Sequence, residues 1–201
     1  MKKPFQQFIE TELGSGFVLI ACGLPGTWKT ETTEEVARVT GYPQLRTDLI
    51  RLELLKNEDV FDEKVAANMD KRTAVYDEMF RRAGEILDNK GGGVILDATF
   101  IAQSLRRRAA AIAAGHNLKF VILQTDCPQA VAIRRILART RENYESNALT
   151  EQAYLNNKKR FEAVDLNDLK RLYPNLAITH LIADTSQDPP EDWYITGVEQ
   201  R

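Results

Sequence analysis

Four short runs of nearly unbroken apolar residues punctuate the chain: FVLIAC (17–22), GVILDAT (93–99), KFVILQTD (119–126) and THLIADT (179–185). Apolar residues without alternation mark strands buried on both faces, the pattern of a parallel sheet. PQLRTD (43–48) is shorter and more polar and makes a fifth strand candidate. Helical spacing fills the intervals. KTETTEEVARVT (29–40) follows the first strand directly. Between Phe61 and Asn89, the residues Val65, Met69, Val75, Met79, Ala83 and Ile86 recur at the helical period until Gly91, Gly92 and Gly93 end the segment. SLRRRAAAIAAG (104–115) stops at Gly115, a C-cap residue type, and PQAVAIRRILARTRE (128–142) opens with Pro128, which suits a first helical turn. TEQAYLNNKKRFEAV (150–164) sets Tyr154, Phe161 and Val164 along one side. Strands alternating with helices require right-handed crossovers and predict an α/β fold, a doubly wound, mostly parallel five-stranded sheet flanked by helices.

Length and charge narrow the class. The chain has 201 residues, enough for one α/β domain with a full core, and no linker composition sets off a second. A net charge of -2 leaves no overall basic footprint for non-specific nucleic-acid binding, although a local groove remains open to the 27 Lys and Arg. Cys22 and Cys127 lie in or beside apolar runs without metal-ligand spacing, as small buried thiols of a reducing compartment do. Lys2 and Lys3 precede a polar stretch, and FVLIACG is too short for a signal core or a bilayer span. The expectation is a cytoplasmic protein with no membrane association and no evident protein partner.

Candidate chemistry begins where the first strand meets the first long helix. GLPGTWKTE (23–31) matches the phosphate-loop pattern at Gly23, Lys29 and Thr30, with Trp28 where glycine normally precedes the lysine. The placement of this stretch between strand and helix is what a phosphate cradle needs, since backbone N–H groups and the helix N-terminus then face one point. Gly23, Leu24, Pro25, Gly26, Thr27, Trp28, Lys29, Thr30 and Glu31 are therefore the nucleotide-binding candidates. Lys29 would reach the β- and γ-phosphates and Thr30 would bind Mg²⁺. Trp28 either is tolerated, its strain offset by the intact donors, or plugs a decayed loop.

Three further constellations follow. Asp48 and Arg51 stand three residues apart, so one helical turn shows both on one face. The aspartate can take the proton of an acceptor hydroxyl and the arginine can hold an anionic group, or the pair is a cap and a surface arginine. Asp97 ends the apolar strand of GGGVILDATF, where a carboxylate would hold the Mg²⁺ shell or the acceptor. Arg134, Arg135, Arg139 and Arg141 crowd the last helix before a polar stretch, with Arg134 and Arg139 the candidates for clamping a transferring phosphoryl group.

Taken in series, GLPGTWKT, RTDLIR, VYDEMFRRAGEILDNKGGGVILDATF and RRILART resemble the AAA-domain P-loop kinase family, related to polynucleotide kinases, zeta-toxin-type kinases and gluconate and shikimate kinases. The likeness covers about residues 17 to 165 of the chain. It implies a nucleoside-monophosphate-kinase-like P-loop fold with a core over about 17–186 and a helical lid over about 134–160. It also implies an ATP- and Mg²⁺-dependent phosphotransferase acting on a hydroxyl of a small molecule or a nucleic-acid end. On this resemblance Lys29 and Thr30 match the phosphate and Mg²⁺ residues, Asp48 the general base of a D-x-x-R motif and Arg51 its acceptor-side partner. Asp97 matches the aspartate of a D-A-T-F segment, and Arg134 or Arg139 a lid arginine. The alternative function is a non-catalytic nucleotide-binding module impaired by Trp28. His116 and His180 have no partner pattern and read as surface or strand-end residues. Arg106–Arg108 and Lys158–Arg160 read as solvated helix faces, Trp193 and Tyr194 as packing for a C-terminal tail, and Asp184 to Gln187 as an edge for the base.

Overall fold

Phe17–Cys22 is buried at all six positions and is the middle one of the five parallel strands. The computed structural model describes residues 2–60, 62, 65, 68–140 and 148–201. In chain order the elements are β1 (Lys3–Pro4), α1 (Phe5–Thr11), β2 (Phe17–Cys22), α2 (Lys29–Thr40), β3 (Gln44–Arg46), α3 (Thr47–Leu54) and α4 (Met69–Lys90). Then come β4 (Val94–Asp97), α5 (Gln103–Gly115), β5 (Lys119–Asp126), α6 (Gln129–Leu137), α7 (Glu151–Arg160), α8 (Leu166–Leu172), β6 (Ile178–Asp184) and β7 (Tyr194–Gln200).

The five strands legible in the sequence are all present and run parallel in the order β6-β5-β2-β4-β3. The strand count needs correction. Among the described residues the sheet has seven strands, because β7 pairs antiparallel with β6 and the two-residue β1 pairs antiparallel with β7. β7 escapes a search for apolar runs because it lies near the sheet's edge, and of its seven residues Ile195 alone is buried. Trp193, just before β7, is buried edge-on to Phe5 and donates its indole N–H to the Gln187 carbonyl at 2.9 Å.

Alternate residues of each central strand enter opposite layers, as the two-residue period requires. Val18, Ile20, Val94, Leu96, Phe120 and Ile122 pack with α4, α5 and α8. Phe17, Leu19, Ile95, Val121 and Leu123 pack with α1, α2 and Trp193. Because β4 and β5 flank β2, the crossover direction switches at β2, and the carboxyl ends of these strands open onto one crevice.

Two helix boundaries differ from expectation. Of the helical stretch expected from Phe61, Val65 is helical, and α4 starts anew at Met69, where the Asn68 side chain accepts from the Lys71 N–H at 3.1 Å. Residues 61, 63, 64, 66 and 67 lie outside the described ones. The helix expected over 128–142 stops at Leu137, so Arg139 follows it rather than riding on it. Arg141 and the rest of 141–147, the middle of the expected lid, lie outside the described residues. No helix among those described is long and apolar enough to cross a membrane.

Candidate active site

The stretch GLPGTWKT leaves β2 at Gly23 and enters α2 at Lys29. Two of its glycines are enforced. Gly23 has φ +144°, and a Cβ there would stand 2.7 Å from the Thr125 carbonyl oxygen. Gly26 has φ +80°, and its Cβ would stand 2.5 Å from the Ala132 carbonyl oxygen, so the loop presses on α6 with backbone alone. The buried Thr27 hydroxyl donates to the Leu24 carbonyl at 2.8 Å and shares a 2.6 Å hydrogen bond with the Thr125 hydroxyl. Pro25 is buried, and Leu24 packs on Ala132, Ile136 and Tyr154 of α6 and α7.

Lys29 curls back over this loop and donates to the Leu24 carbonyl at 2.7 Å. Burial lowers its pKa, opposed first by the Asp97 carboxylate and assisted by the Arg139 charge. Glu31, in the first turn of α2, and Asp48 also favour its charged form. A half-buried ammonium resting on one carbonyl, at a helix start, fits the β- and γ-phosphates of ATP.

Thr30 donates its hydroxyl to Asp97 Oδ2 at 2.7 Å. Asp97 is buried at the end of β4, and burial raises its pKa to about 6 against the pull of Thr30 and Lys29. Hydroxyl and carboxylate oxygens in contact are hard donors of the kind Mg²⁺ takes with water and phosphate completing its shell, so these two residues fit that ion. Arg46 of β3 stands beside Asp97 in the parallel register, its Nε 3.7 Å from Oδ2. Nothing in the spacing of QLRTD marks Arg46; only the register of β3 against β4 brings it here.

Asp48 and Arg51 share one face of α3, with Arg51 Nη1 donating to Asp48 Oδ1 at 2.5 Å. The charge of Asp48 raises the pKa of both Lys29 and Asp97, so the three groups share one field. Arg139 is near enough to act on Lys29. Arg134 is not brought into this group: it is exposed and lies 3.5 Å from Asp188, on the loop after β6.

A model of the AAA domain matches residues 18–164. The chain belongs to this AAA-domain family. Among curated proteins none matches it in sequence. Solved structures share the fold of this AAA domain. A gluconokinase from Sinorhizobium meliloti is 20% identical over 87% of this chain and 85% of that one, with a TM-score of 0.56. A sugar kinase from Janibacter sp. is 18% identical over 89% of each, with a TM-score of 0.61. Kti12 of Chaetomium thermophilum in complex with ADP-AlF3 is 17% identical over 74% of this chain and 81% of that one, with a TM-score of 0.54. The AAA domain therefore has the architecture of P-loop kinases.

Trp28 is the AAA domain's departure from the loop pattern, and its backbone keeps the shape that glycine would give. It caps α2 in the left-handed region at φ 56° and ψ 38°, a conformation that costs an L-residue about 1–2 kcal/mol. The Lys29 ammonium reaches back over the loop to the Leu24 carbonyl. The ring packs on the apolar layer beneath α1 and α2, and the Arg135 guanidinium covers it at 4.8 Å. Its buried N–H makes no hydrogen bond of ordinary geometry, although the Asp188 carboxylate is close enough to feel it.

Arg135 of α6, passed over in favour of its neighbours, holds this corner together. It is buried and donates to Asp188 Oδ1 at 2.8 Å, to the Gly26 carbonyl at 3.2 Å and to the Thr185 and Gln187 carbonyls at 2.8 and 3.0 Å. The loop after β6, expected to edge the base, is thus tied to the phosphate loop through one side chain. Arg106 is a second correction. Expected on a solvated face, it is fully buried and donates to the carbonyls of Phe100, Glu162 and Ala163 at 2.9, 2.7 and 3.0 Å. It fixes the turn after Asp97 to the chain beyond α7. His180 is likewise buried in β6, against Gln124 at 3.0 Å.

Two outcomes follow from this geometry. Trp28→Gly relieves backbone strain but removes the packed indole and its cation–π contact, so unfolding titrations should show a net loss of about 2 kcal/mol. Its affinity for Mg·ATP, measured by calorimetry, should stay within about threefold of wild type, less than one pKa unit's worth of free energy; a tightening of orders of magnitude would mean that the indole fills the cradle. For Asp97, the folded-state value lies above the ordinary 3.8, so ionisation destabilises the metal-free protein. That penalty is absent below about pH 4 and complete somewhat above pH 6. In EDTA, Asp97→Asn should therefore stabilise by about 3 kcal/mol at neutral pH and by almost nothing below about pH 4.

Proposed function

We propose that the protein transfers the γ-phosphoryl of ATP to a hydroxyl acceptor, a small molecule or a nucleic-acid end. The observation that supports this most is the convergence of Lys29, Asp97 and Asp48 on one field, with Thr30 already on Asp97. A binding module needs Lys29, Thr30 and Asp97 but has no use for Asp48 in the same field.

In the proposed mechanism the loop amides and Lys29 hold the β- and γ-phosphates. Mg²⁺ on Thr30 and Asp97 would neutralise phosphate charge when bound. Asp48 accepts the acceptor's hydroxyl proton as its oxygen bonds to the γ-phosphorus and the bond to the β–γ bridging oxygen breaks, releasing ADP. Arg51 fixes the Asp48 carboxylate through their 2.5 Å contact. Arg139 adds positive charge on the side of Lys29, where the transition state spreads negative charge over the γ-oxygens. Arg134 would contribute only by leaving Asp188. The net charge of -2 favours a small acceptor over a long polynucleotide. Two unbridged cysteines fit a reducing, cytoplasmic setting.

A second function, a non-catalytic nucleotide-binding module, is favoured by one observation, the left-handed Trp28 before Lys29. One assay separates the two. With labelled ATP and a panel of hydroxyl compounds, wild type should transfer label. Asp48→Asn should lower kcat by at least about a hundredfold while leaving the calorimetric affinity for Mg·ATP unchanged. Nucleotide binding without transfer to any compound of the panel would favour the module.

A further inference from the structure

The acceptor side of the crevice gathers guanidinium groups of α3, α4 and α7. Arg51 is held by Asp48. Arg72, half-buried in the first turns of α4, lies three residues after Met69 and so on the same helical face. Arg160, the last residue of α7, reaches the Met69 thioether at 3.3 Å, which sets its guanidinium on that face as well. Among the described residues neither Arg72 nor Arg160 meets a carboxylate. Three acids of the adjoining segments are engaged with other cations: Glu53 and Glu78 with Arg82 at 2.6 and 2.7 Å, and Glu58 with Lys71. Burial lowers the Arg72 pKa, the charges of Arg160 and Arg51 lower it further, and the Tyr76 hydroxyl lies within the same field. Guanidinium groups gathered in this way repel one another, and an anion that offers two oxygens, a carboxylate or a phosphate, relieves that repulsion.

We propose that Arg72 and Arg160 form an anion subsite beside Asp48, and that the acceptor is a small hydroxyl compound bearing a phosphate or carboxylate group. This rests on the phosphotransferase function proposed above. Its chemical logic is positional. An anion anchored between α4 and α7 holds the far end of the acceptor, and the hydroxyl end is left at Asp48. Arg51, already bound to that aspartate, acts on Arg72 through its charge and so links the two.

The test reads binding rather than turnover. Affinity for a non-hydrolysable ATP analogue with Mg²⁺ is measured first, by calorimetry, so a failure of the nucleotide site shows by itself. Protein saturated with the analogue, its phosphate loop thus filled, is then titrated at constant ionic strength with inorganic phosphate, glucuronate and glucose. At least one of the two anions should bind, glucose should not match it, and the anion that binds identifies a phosphate or a carboxylate acceptor. Arg72→Gln and Arg160→Gln should each weaken that anion by about tenfold with the analogue affinity unchanged, while Arg72→Lys retains part of it. Arg160 is exposed, so its variant tests the subsite without disturbing the core. Binding of neither anion, or anion binding that survives both glutamine variants, overturns the proposal.

Discussion

The backbone between β2 and α2 must aim several N–H groups at one point, and this constraint organises the molecule. It requires backbone without a Cβ at Gly23 and Gly26, where neighbouring carbonyls leave no room. It also requires a left-handed residue just before Lys29, which here is a tryptophan. A left-handed L-residue persists only where its surroundings over-determine it. Arg135 supplies that determination: it covers the indole, bonds the Gly26 carbonyl and binds the loop after β6. The bulk that looks like a defect in the loop is thereby part of a clasp that joins phosphate loop, α6 and the 185–188 segment.

The same geometry sets the electrostatics. Lys29 is half-buried and Asp97 buried, desolvation pushes each toward neutrality, and each restrains the other's shift. Groups balanced in this way respond strongly to an arriving triphosphate and cation, which change both fields at once. Asp48 enters that field from α3, and Arg46 enters from β3 through the strand register. Three elements distant in sequence thus meet at the carboxyl ends of β2, β3 and β4. A doubly wound sheet places its crevice there.

Much of this was legible beforehand for a physical reason. Strands covered on both faces must be apolar throughout, so β2, β4, β5 and β6 stand out, and loop residues with enforced dihedrals leave glycines behind. What escaped lacks such a local signature. β7 buries only Ile195 and shows no continuous apolar run. The roles of Arg106 and Arg135 depend on backbone carbonyls supplied by segments far along the chain, and a buried arginine satisfied by carbonyls looks in sequence like any helical arginine. Arg134 and Arg135 differ by one position, and α6 turns one to solvent and the other to the loop. Arg46, Arg72 and Arg160 acquire meaning only from strand register and helix packing.

The claim on which the account turns is that backbone amides and Lys29 grip a triphosphate with Trp28 in place. Titration calorimetry of Mg·ATP into wild type and Lys29→Ala tests it most directly. The account predicts saturable one-to-one binding to wild type, weakened at least about tenfold by the alanine. No heat of binding with wild type, or equal affinity in the two proteins, would contradict it.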